Sequence, residues 1–363
     1  MSKISGLHLF RLKGFFSAIL ILAVVFTFLF GACTSGPEIY NPYEDVDWSS
    51  HSQYKANFHT HTTMSDGRMN PQTVVDKYYE LGYDILAITD HNEVTYPWTG
   101  FAEMKASETS LNRMKSAPGT MPEDLVYANR DPVALGMIDI QANELSRHHH
   151  MGSFFNDHNG TVTEIESLEA TALKNGITML YHPGRYNNSK EWYADLYKRY
   201  DHLIGLEVYN QGDRYPQDRM IWDSILTITM PDRPVWGYSN DDMHTLPNVG
   251  RNWSMLILSE LTHESVRHGM ENGLSYFVFA PQGHDGPSAP VIESIVVNQR
   301  KGTIDITASG YESVRWISEG RVVHEGNPVN IKELEDVGSY IRAKLYGSGE
   351  TVTGTQPFGI SKR

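Results

Sequence analysis

Cysteine is all but missing from this chain: Cys33 is the only one in 363 residues. With no second thiol an internal disulfide is impossible and a cysteine-based zinc site is excluded, so any metal must be held by histidine and carboxylates. Basic residues are scarce too, 30 Lys and Arg against 44 Asp and Glu, for a formal net charge of −14. No Lys/Arg-rich run or basic stripe follows the N-terminal segment, so an extended phosphate backbone is a poor partner and no nucleic acid is expected, whereas metal cations are attracted. Internal repeats and low-complexity runs are also lacking. With 40% hydrophobic and 20% charged residues, neither wholesale disorder nor a polytopic membrane protein fits. The length predicts one large domain and a smaller one.

What is present begins with an address. Lys3, Arg11 and Lys13 precede an apolar run, Phe15 to Phe30, that ends in small residues at Gly31-Ala32-Cys33. The run is shorter than the roughly 20 residues a spanning helix needs. Residues 1–32 therefore read as a lipoprotein signal peptide, with lipidation at Cys33, and the mature chain is expected in the cell envelope, anchored to a membrane through that residue. Residues 33–54, with Gly36, Pro37 and Pro42, read as a tether.

From Lys55 to about Phe279, strand and helix patterns alternate. Seven strand candidates stand out: Ala56–His61, Ile85–Thr89, Met137–Asn143, Ile177–Tyr181, Leu203–Tyr209, Val235–Ser239 and Tyr276–Phe279. Helix candidates lie between them. Pro71–Leu81 has Asn70 as N-cap, Pro71 at the first position and Gly82 as the stop; Val162–Lys174 and Glu260–Glu271 follow. This alternation predicts an α/β domain over residues 55–286, with parallel strands and crossover helices in an open doubly wound sheet or a closed barrel. Thr95–Pro132, with one helix candidate at Met104–Met114, is too long for a connection and reads as an insertion that shapes the pocket. After Pro287–Pro290 the texture changes to short alternating strands, Ile292–Val297, Thr303–Ala308, Val314–Ser318, Val322–Glu325 and Tyr340–Tyr346. They predict a small antiparallel β-sandwich over residues 287–363.

The chemistry gathers at strand ends. In Phe58-His59-Thr60-His61, alternation puts both imidazoles on one face. Ser65-Asp66-Gly67 follows, His91 closes the next strand, Glu144 the third, His182 the fourth, and Asp242 and His244 the sixth. The carboxyl ends of parallel strands share one rim, so these eight groups meet there. Burying them together without a cation would leave unpaired charge and unmet hydrogen bonds, so a cluster of divalent metals is expected.

This series, His-x-His, Ser-Asp-Gly, Ile-Thr-Asp-His-Asn, a strand-end Glu, His-Pro-Gly and Asp-x-His, resembles the PHP (polymerase and histidinol phosphatase) superfamily over about Ala56 to Phe279. The resemblance implies a distorted (β/α)7 TIM-like barrel and two or three divalent ions, zinc, manganese or iron. It implies that His59, His61, Glu144 and Asp242 hold one ion, Asp66, His91 and His244 another, and Glu144 and His182 a third. That third site takes one more histidine. His148, His149, His150 and His158 are available, and His149, three residues before Gly152, is favoured. Asp90 is expected to accept a hydrogen bond from a ligand and so orient it. Arg185, after His-Pro-Gly, and Arg68, after Ser-Asp-Gly, are candidate phosphate clamps. Tyr96, Trp98, Tyr186, Trp192, Tyr209 and Trp253 recur near the rim. The C-terminal sandwich resembles the immunoglobulin-like module that ends some extracytoplasmic members.

The function implied is hydrolysis of a small anionic ester, most simply a phosphomonoester or phosphodiester, by metal-activated water. Two alternatives remain open at this point. One is a metallohydrolase of carboxyl or carbamate esters; the other is a noncatalytic surface lipoprotein that keeps metals for structure and binds glycans or a partner.

Overall fold

The computed structural model describes residues 37–108, 111–112 and 126–361. The signal-peptide and lipidation expectations, and part of the helix candidate at Met104–Met114, lie outside the described residues. Among those described, no helix is long and apolar enough to cross a membrane.

The chain runs β1 (Glu38–Tyr40), β2 (Ser52–Asn57), α1 (Pro71–Glu80), β3 (Ile85–Ala87), α2 (Pro132–Leu135), β4 (Ile138–Ile140), β5 (Ala142–Leu145), β6 (Met151–Phe154), α3 (Glu164–Leu173) and β7 (Ile177–Leu180). It continues through α4 (Lys190–Arg199), β8 (Leu203–Asn210), α5 (Gln217–Thr229), β9 (Trp236–Asn240), β10 (Asn252–Leu258), α6 (His263–Asn272) and β11 (Ser275–Phe279). The remainder is β: β12 (Val291–Asn298), β13 (Thr303–Ser309), β14 (Tyr311–Ser318), β15 (Arg321–Glu325), β16 (Val329–Asn330), β17 (Tyr340–Gly347), β18 (Val352–Thr355) and β19 (Phe358–Ser361).

Helix boundaries follow local chemistry. α1 starts at Pro71, whose missing N–H is one the first turn could not satisfy in any case, and it buries Val74, Val75 and Tyr78. At α3, Thr163 and Glu166 form a reciprocal capping box. Thr262 caps α6 by accepting from Ser265 N.

The mixed α/β architecture is present, but the expected closed (β/α)7 barrel is not. β2, β3 and β4 are parallel, with β10 antiparallel on the free side of β2 and β11 beyond it. A second sheet, β5-β6-β7-β8-β9, is parallel only over its last three strands. The seams between the two are crossed by single bridges, Thr60 to Met243 and His91 to Glu144. At the first seam the chain leaves the ladder after Asn57, and Phe58 N donates to the Asn240 side chain, 3.0 Å, in place of a neighbouring strand's carbonyl. β6 and β10, both antiparallel, escaped the sequence reading. Gly152 and Ser153 blunt the alternation of β6.

Residues 291–361 contain no α-helix among the elements described. The sheet β12-β13-β16 faces β14, β17 and β19 across a core that includes Ile292, Ile306, Trp316, Ile341, Leu345 and Phe358. These strands are not set apart from the rest. β18 pairs with both β17 and β11, so the C-terminal sheet runs on into the α/β part. The stretch expected to be a free tether is also docked from Glu38 onward: β1 pairs with β19, Ile39 and Tyr43 are buried, and Tyr43 Oη donates to Ser275 O at 2.9 Å.

Candidate metal centre

Extended backbone beyond β2 sends alternate side chains to opposite sides. Phe58 enters the core against Phe154 and Tyr238. His59 and His61 turn the other way, and their Nε2 atoms approach to 3.1 Å. The chain then loops through Thr62–Gly67, which carries Asp66 back over the pair.

Asp90 holds that loop. Its carboxylate accepts from Thr62 N (2.8 Å), Thr62 Oγ1 (2.7 Å), Ser65 Oγ (2.6 Å) and Thr95 Oγ1 (2.6 Å). This corrects the expectation that Asp90 accepts from a ligand: its oxygens are taken up by hydroxyls and an amide, and no histidine among the described residues reaches it. The Gly of Ser-Asp-Gly has an equally local reason. A Cβ on Gly67 would lie 2.5 Å from the backbone C and O of His61, against atoms that cannot give way. Gly67→Ala is therefore expected to displace Asp66 and lower metal affinity at its site at least tenfold, checked by titration against a competing chelator.

The strand ends bring together His59, His61, Asp66, His91, Glu144, His182, Asp242 and His244. Glu144 sits at the middle: Oε2 is 2.9 Å from His91 Nδ1, 3.3 Å from His61 Nε2 and 3.4 Å from His59 Nε2, while Oε1 is 2.6 Å from His150 Nδ1 and 3.5 Å from His182 Nε2. Asp242 Oδ1 lies 3.2 Å from His61, 3.4 Å from His59 and 3.4 Å from His244. Asp66 reaches His244 at 3.3 Å, His91 at 3.5 Å and His61 at 3.6 Å. Ligand atoms within 4.8 Å of one another form overlapping sets: His61, Asp66, His91 and His244; His59, His61 and Glu144; His59, His182 and Asp242; His91, Glu144 and His150.

The last set corrects the sequence reading. His150, not His149, joins Glu144. His149 is buried on the opposite side, its ring 4.1 Å from Tyr186 and its Nε2 3.1 Å from Tyr193 Oη. Burial, and the nearby His182, His150 and Arg185, push its pKa down to about 3, against one stabilising backbone hydrogen bond. It is a neutral packing residue.

The donor set fits a cation. Glu207 Oε2 accepts from His182 N at 2.8 Å and Asn210 Nδ2 at 2.9 Å, and Oε1 from Asn240 Nδ2 at 2.9 Å, so Glu207 acts as an acceptor and His59 Nδ1, 2.9 Å from Oε1, is the donor. In a neutral ring His59 Nε2 then offers its lone pair to the cluster. It faces His61 Nε2 and the carboxylates of Glu144 and Asp242, an arrangement that is repulsive unless a proton or a metal cation lies between them. The titration shifts report the same demand for positive charge, which a second proton on His59 meets when no ion does. Burial favours a neutral His59 ring, but Asp242, Glu207 and Glu144 hold its pKa well above the usual value. Burial would raise Glu144, yet His91, His59 and His150 hold it well below the usual range.

Glu207 is the main residue the sequence reading missed. It is fully buried in β8, where Leu203 to Asn210 are all buried. A lone carboxylate in such a strand was itself a signal, because burying one without partners is costly. Asp241, next to Asp242, anchors the loop after β9 by accepting from Gly250, Arg251 and Asn252 amides.

A cavity of about 810 Å³ opens over the cluster, lined beyond the cluster by Ser65, Asn92, Ser146, Arg185, Arg214 and Tyr215 among others. Arg185 is where a clamp was expected. Arg68 is not among the lining residues; it is exposed, and its amide donates to His244 O. None of Tyr96, Trp98, Tyr186, Trp192, Tyr209 or Trp253 lines the cavity, and Trp98 is fully buried in the core. Ser107, from the Thr95–Pro132 excursion, does line it and donates to Ser65 O at 2.7 Å.

Behind the Arg185 turn, Asp218 of α5 accepts from Gly184 N at 2.6 Å, and its other oxygen is buried with no partner among the described residues. Burial pushes its pKa up to about 8, with Glu207 adding to the rise. A folded pKa above the unfolded one means that the stability it lends is complete near pH 4 and is lost as the pH rises toward 8. Asp218→Asn is expected to flatten that decline by up to about 1.4 kcal/mol per pH unit, read from urea midpoints of both proteins between pH 5 and 8.

Fold and site together define an α/β protein with a histidine and carboxylate centre at its strand ends. Residues 57–223 match the PHP domain. Among solved structures it is similar to a two-domain protein from Bacteroides vulgatus containing a predicted PHP-like metal-dependent phosphoesterase, at 15% identity, covering 87% of this chain and 96% of that one with a TM-score of 0.49. It is also similar to PsfC from Pseudomonas syringae (12% identity, 64% and 93% covered, TM-score 0.41). A third is the lesion-specific endonuclease PfuEndoQ from Pyrococcus furiosus (14% identity, 61% and 56% covered, TM-score 0.38). No curated protein matches the chain.

Proposed function

We propose that this protein is a divalent-metal-dependent hydrolase and, within that class, a phosphoesterase acting on a small phosphomonoester or phosphodiester. The observation that carries the reading is the convergence of His59 Nε2, whose ring is fixed by Glu207 at Nδ1, with His61 Nε2 and the carboxylates of Glu144 and Asp242. His59, His61, Glu144 and Asp242 would hold one ion, Asp66, His91 and His244 a second, and Glu144, His150 and His182 a third; zinc, manganese and iron all suit this donor set. Such ions, when bound, activate a water and neutralise charge on ester oxygens.

The chain's own part is to hold and orient. Glu207 fixes the His59 ring and, through His182 N, the turn that presents Arg185. Arg185 and Arg214 line the cavity, and among the described residues neither has a carboxylate within 4.0 Å, which leaves both guanidiniums to receive anionic oxygens. Gln211 accepts from Arg214 Nη1 at 2.8 Å and donates to Asp242 O at 3.1 Å, which ties that arginine to the cluster. No protein nucleophile is required.

The test is turnover by the metal-loaded protein across phosphomonoesters, phosphodiesters and carboxyl esters. Turnover of a phosphate ester, suppressed by chelator and by inorganic phosphate, is the expected result. Turnover of carboxyl esters alone, indifferent to phosphate, would assign the same centre to the other ester class. From the N-terminal sequence we also propose a cell-envelope location, held through Cys33, and Cys33→Ser is the matching test by membrane fractionation.

A further inference from the structure

Away from the centre, β17 carries Arg342 and Lys344 two residues apart, hence on one face of the strand. Arg342 is 2% exposed and Lys344 8%. Arg342 gives Nε and Nη2 to Asp223 of α5, at 2.8 and 2.7 Å, and its Nη1 is buried with no acceptor among the described residues. Lys344 Nζ lies 5.5 Å from the Tyr209 ring centre and 5.6 Å from that of Tyr346, and among the described residues no carboxylate lies within 4.0 Å of it. Across Tyr209 stands Arg219, 4.2 Å from the ring and paired with Asp213 at 2.8 and 2.9 Å. From β14, Arg315 is opposite Lys344 in the ladder and paired with Glu325 at 3.0 Å.

The groups facing this spot are thus four cations, Arg342, Lys344, Arg219 and Arg315, and three anions, Asp223, Asp213 and Glu325. Each arginine has its carboxylate. Only the Lys344 charge lacks one, and a buried unpaired charge is costly. Burial, with Arg342 and Arg219 adding to it, lowers the Lys344 pKa to about 7. A single bound monoanion would balance the charge and supply the acceptor that Arg342 Nη1 lacks.

We propose that Arg342 Nη1 and the Lys344 ammonium form a binding site for one small monovalent anion, of halide or formate size, where β17 meets α5 and β8. No covalent step is involved. Occupancy needs the protonated amine, so the anion stabilises the fold most below neutral pH, where Lys344 already holds its proton, and less as the pH rises.

Bromide and thermal unfolding test this. Crystals of the full chain grown in sodium bromide should show an anomalous peak between Arg342 Nη1 and Lys344 Nζ. In solution at pH 6, chloride or formate should raise the unfolding temperature saturably, by about 2–5 °C over gluconate at equal ionic strength, and Lys344→Met should abolish the difference. Formate acting without chloride would define the anion as a carboxylate of that size. An empty position in the bromide crystal, together with identical chloride, formate and gluconate curves for the unaltered protein, would overturn the proposal, whether or not the variant folds.

Discussion

Replacing Glu144 by Gln is expected to lower hydrolysis by on the order of 10³-fold or more and to leave the purified protein depleted of metal. Glu144 is fully buried, and its two oxygens are shared among His59, His61, His91, His150 and His182 at 2.6 to 3.5 Å. Gln has the same shape, so packing survives. What it removes is the negative charge and one of the two acceptor oxygens, and it sets an N–H donor among ring nitrogens that converge on a cation. The check is kcat and metal content measured on one preparation, with urea unfolding to confirm the fold. Wild-type turnover in a folded, metal-poor Glu144→Gln protein would remove the cluster from the chemistry.

The second large effect is expected at a residue that touches no metal. In Glu207→Gln, one side-chain oxygen becomes an NH₂ group. His182 N is a backbone donor and cannot turn, so the retained oxygen stays with it and the NH₂ faces His59 Nδ1, where Oε1 now accepts at 2.9 Å. His59 must then accept at Nδ1 and carry its proton on Nε2, the atom that points at the cluster. Metal affinity is expected to fall about 10- to 100-fold, with a loss of stability of about 1–3 kcal/mol, because Asn240 cannot reverse its amide while its Oδ1 accepts from Phe58 N. Titration with a competing chelator measures it. A ring-nitrogen NMR spectrum of the metal-free variant, recorded at a pH where the ring is neutral, should show the proton on Nε2 instead of Nδ1.

The sequence was most legible where chemistry is local. Pro71 and Gly82 bracketed α1. The His-x-His pair needed only strand alternation to be placed on one side. Of the six other cluster residues five were legible as strand ends, and Asp66 through the Ser-Asp-Gly that follows the first strand. Ladder closure was not legible, because it depends on whether a strand end meets a neighbour's carbonyl or, as at Phe58, an asparagine side chain. Nor was the choice among three adjacent histidines. In a hairpin a shift of one residue reverses the face, and the register that decides it, Leu145 opposite Met151 and Glu144 opposite Gly152, is a tertiary fact. Gly152 was a clue read one step off: a Cβ there would fall 2.3 Å from Tyr181 Oη, whose ring stacks on His59 at 3.6 Å, so its requirement concerns His59 and says nothing about which histidine completes the third site. Arg214 stands in the loop between β8 and α5, where no periodic pattern singles it out.

The central claim is that convergent lone pairs and carboxylates around His59 exist to hold divalent ions. Elemental analysis of the purified protein, set against protein concentration, tests it most directly. The account predicts two to three zinc, manganese or iron ions per chain, falling to at most one in Glu144→Gln. Less than one ion per chain, unchanged by growth with added metal and with the protein folded, would contradict it.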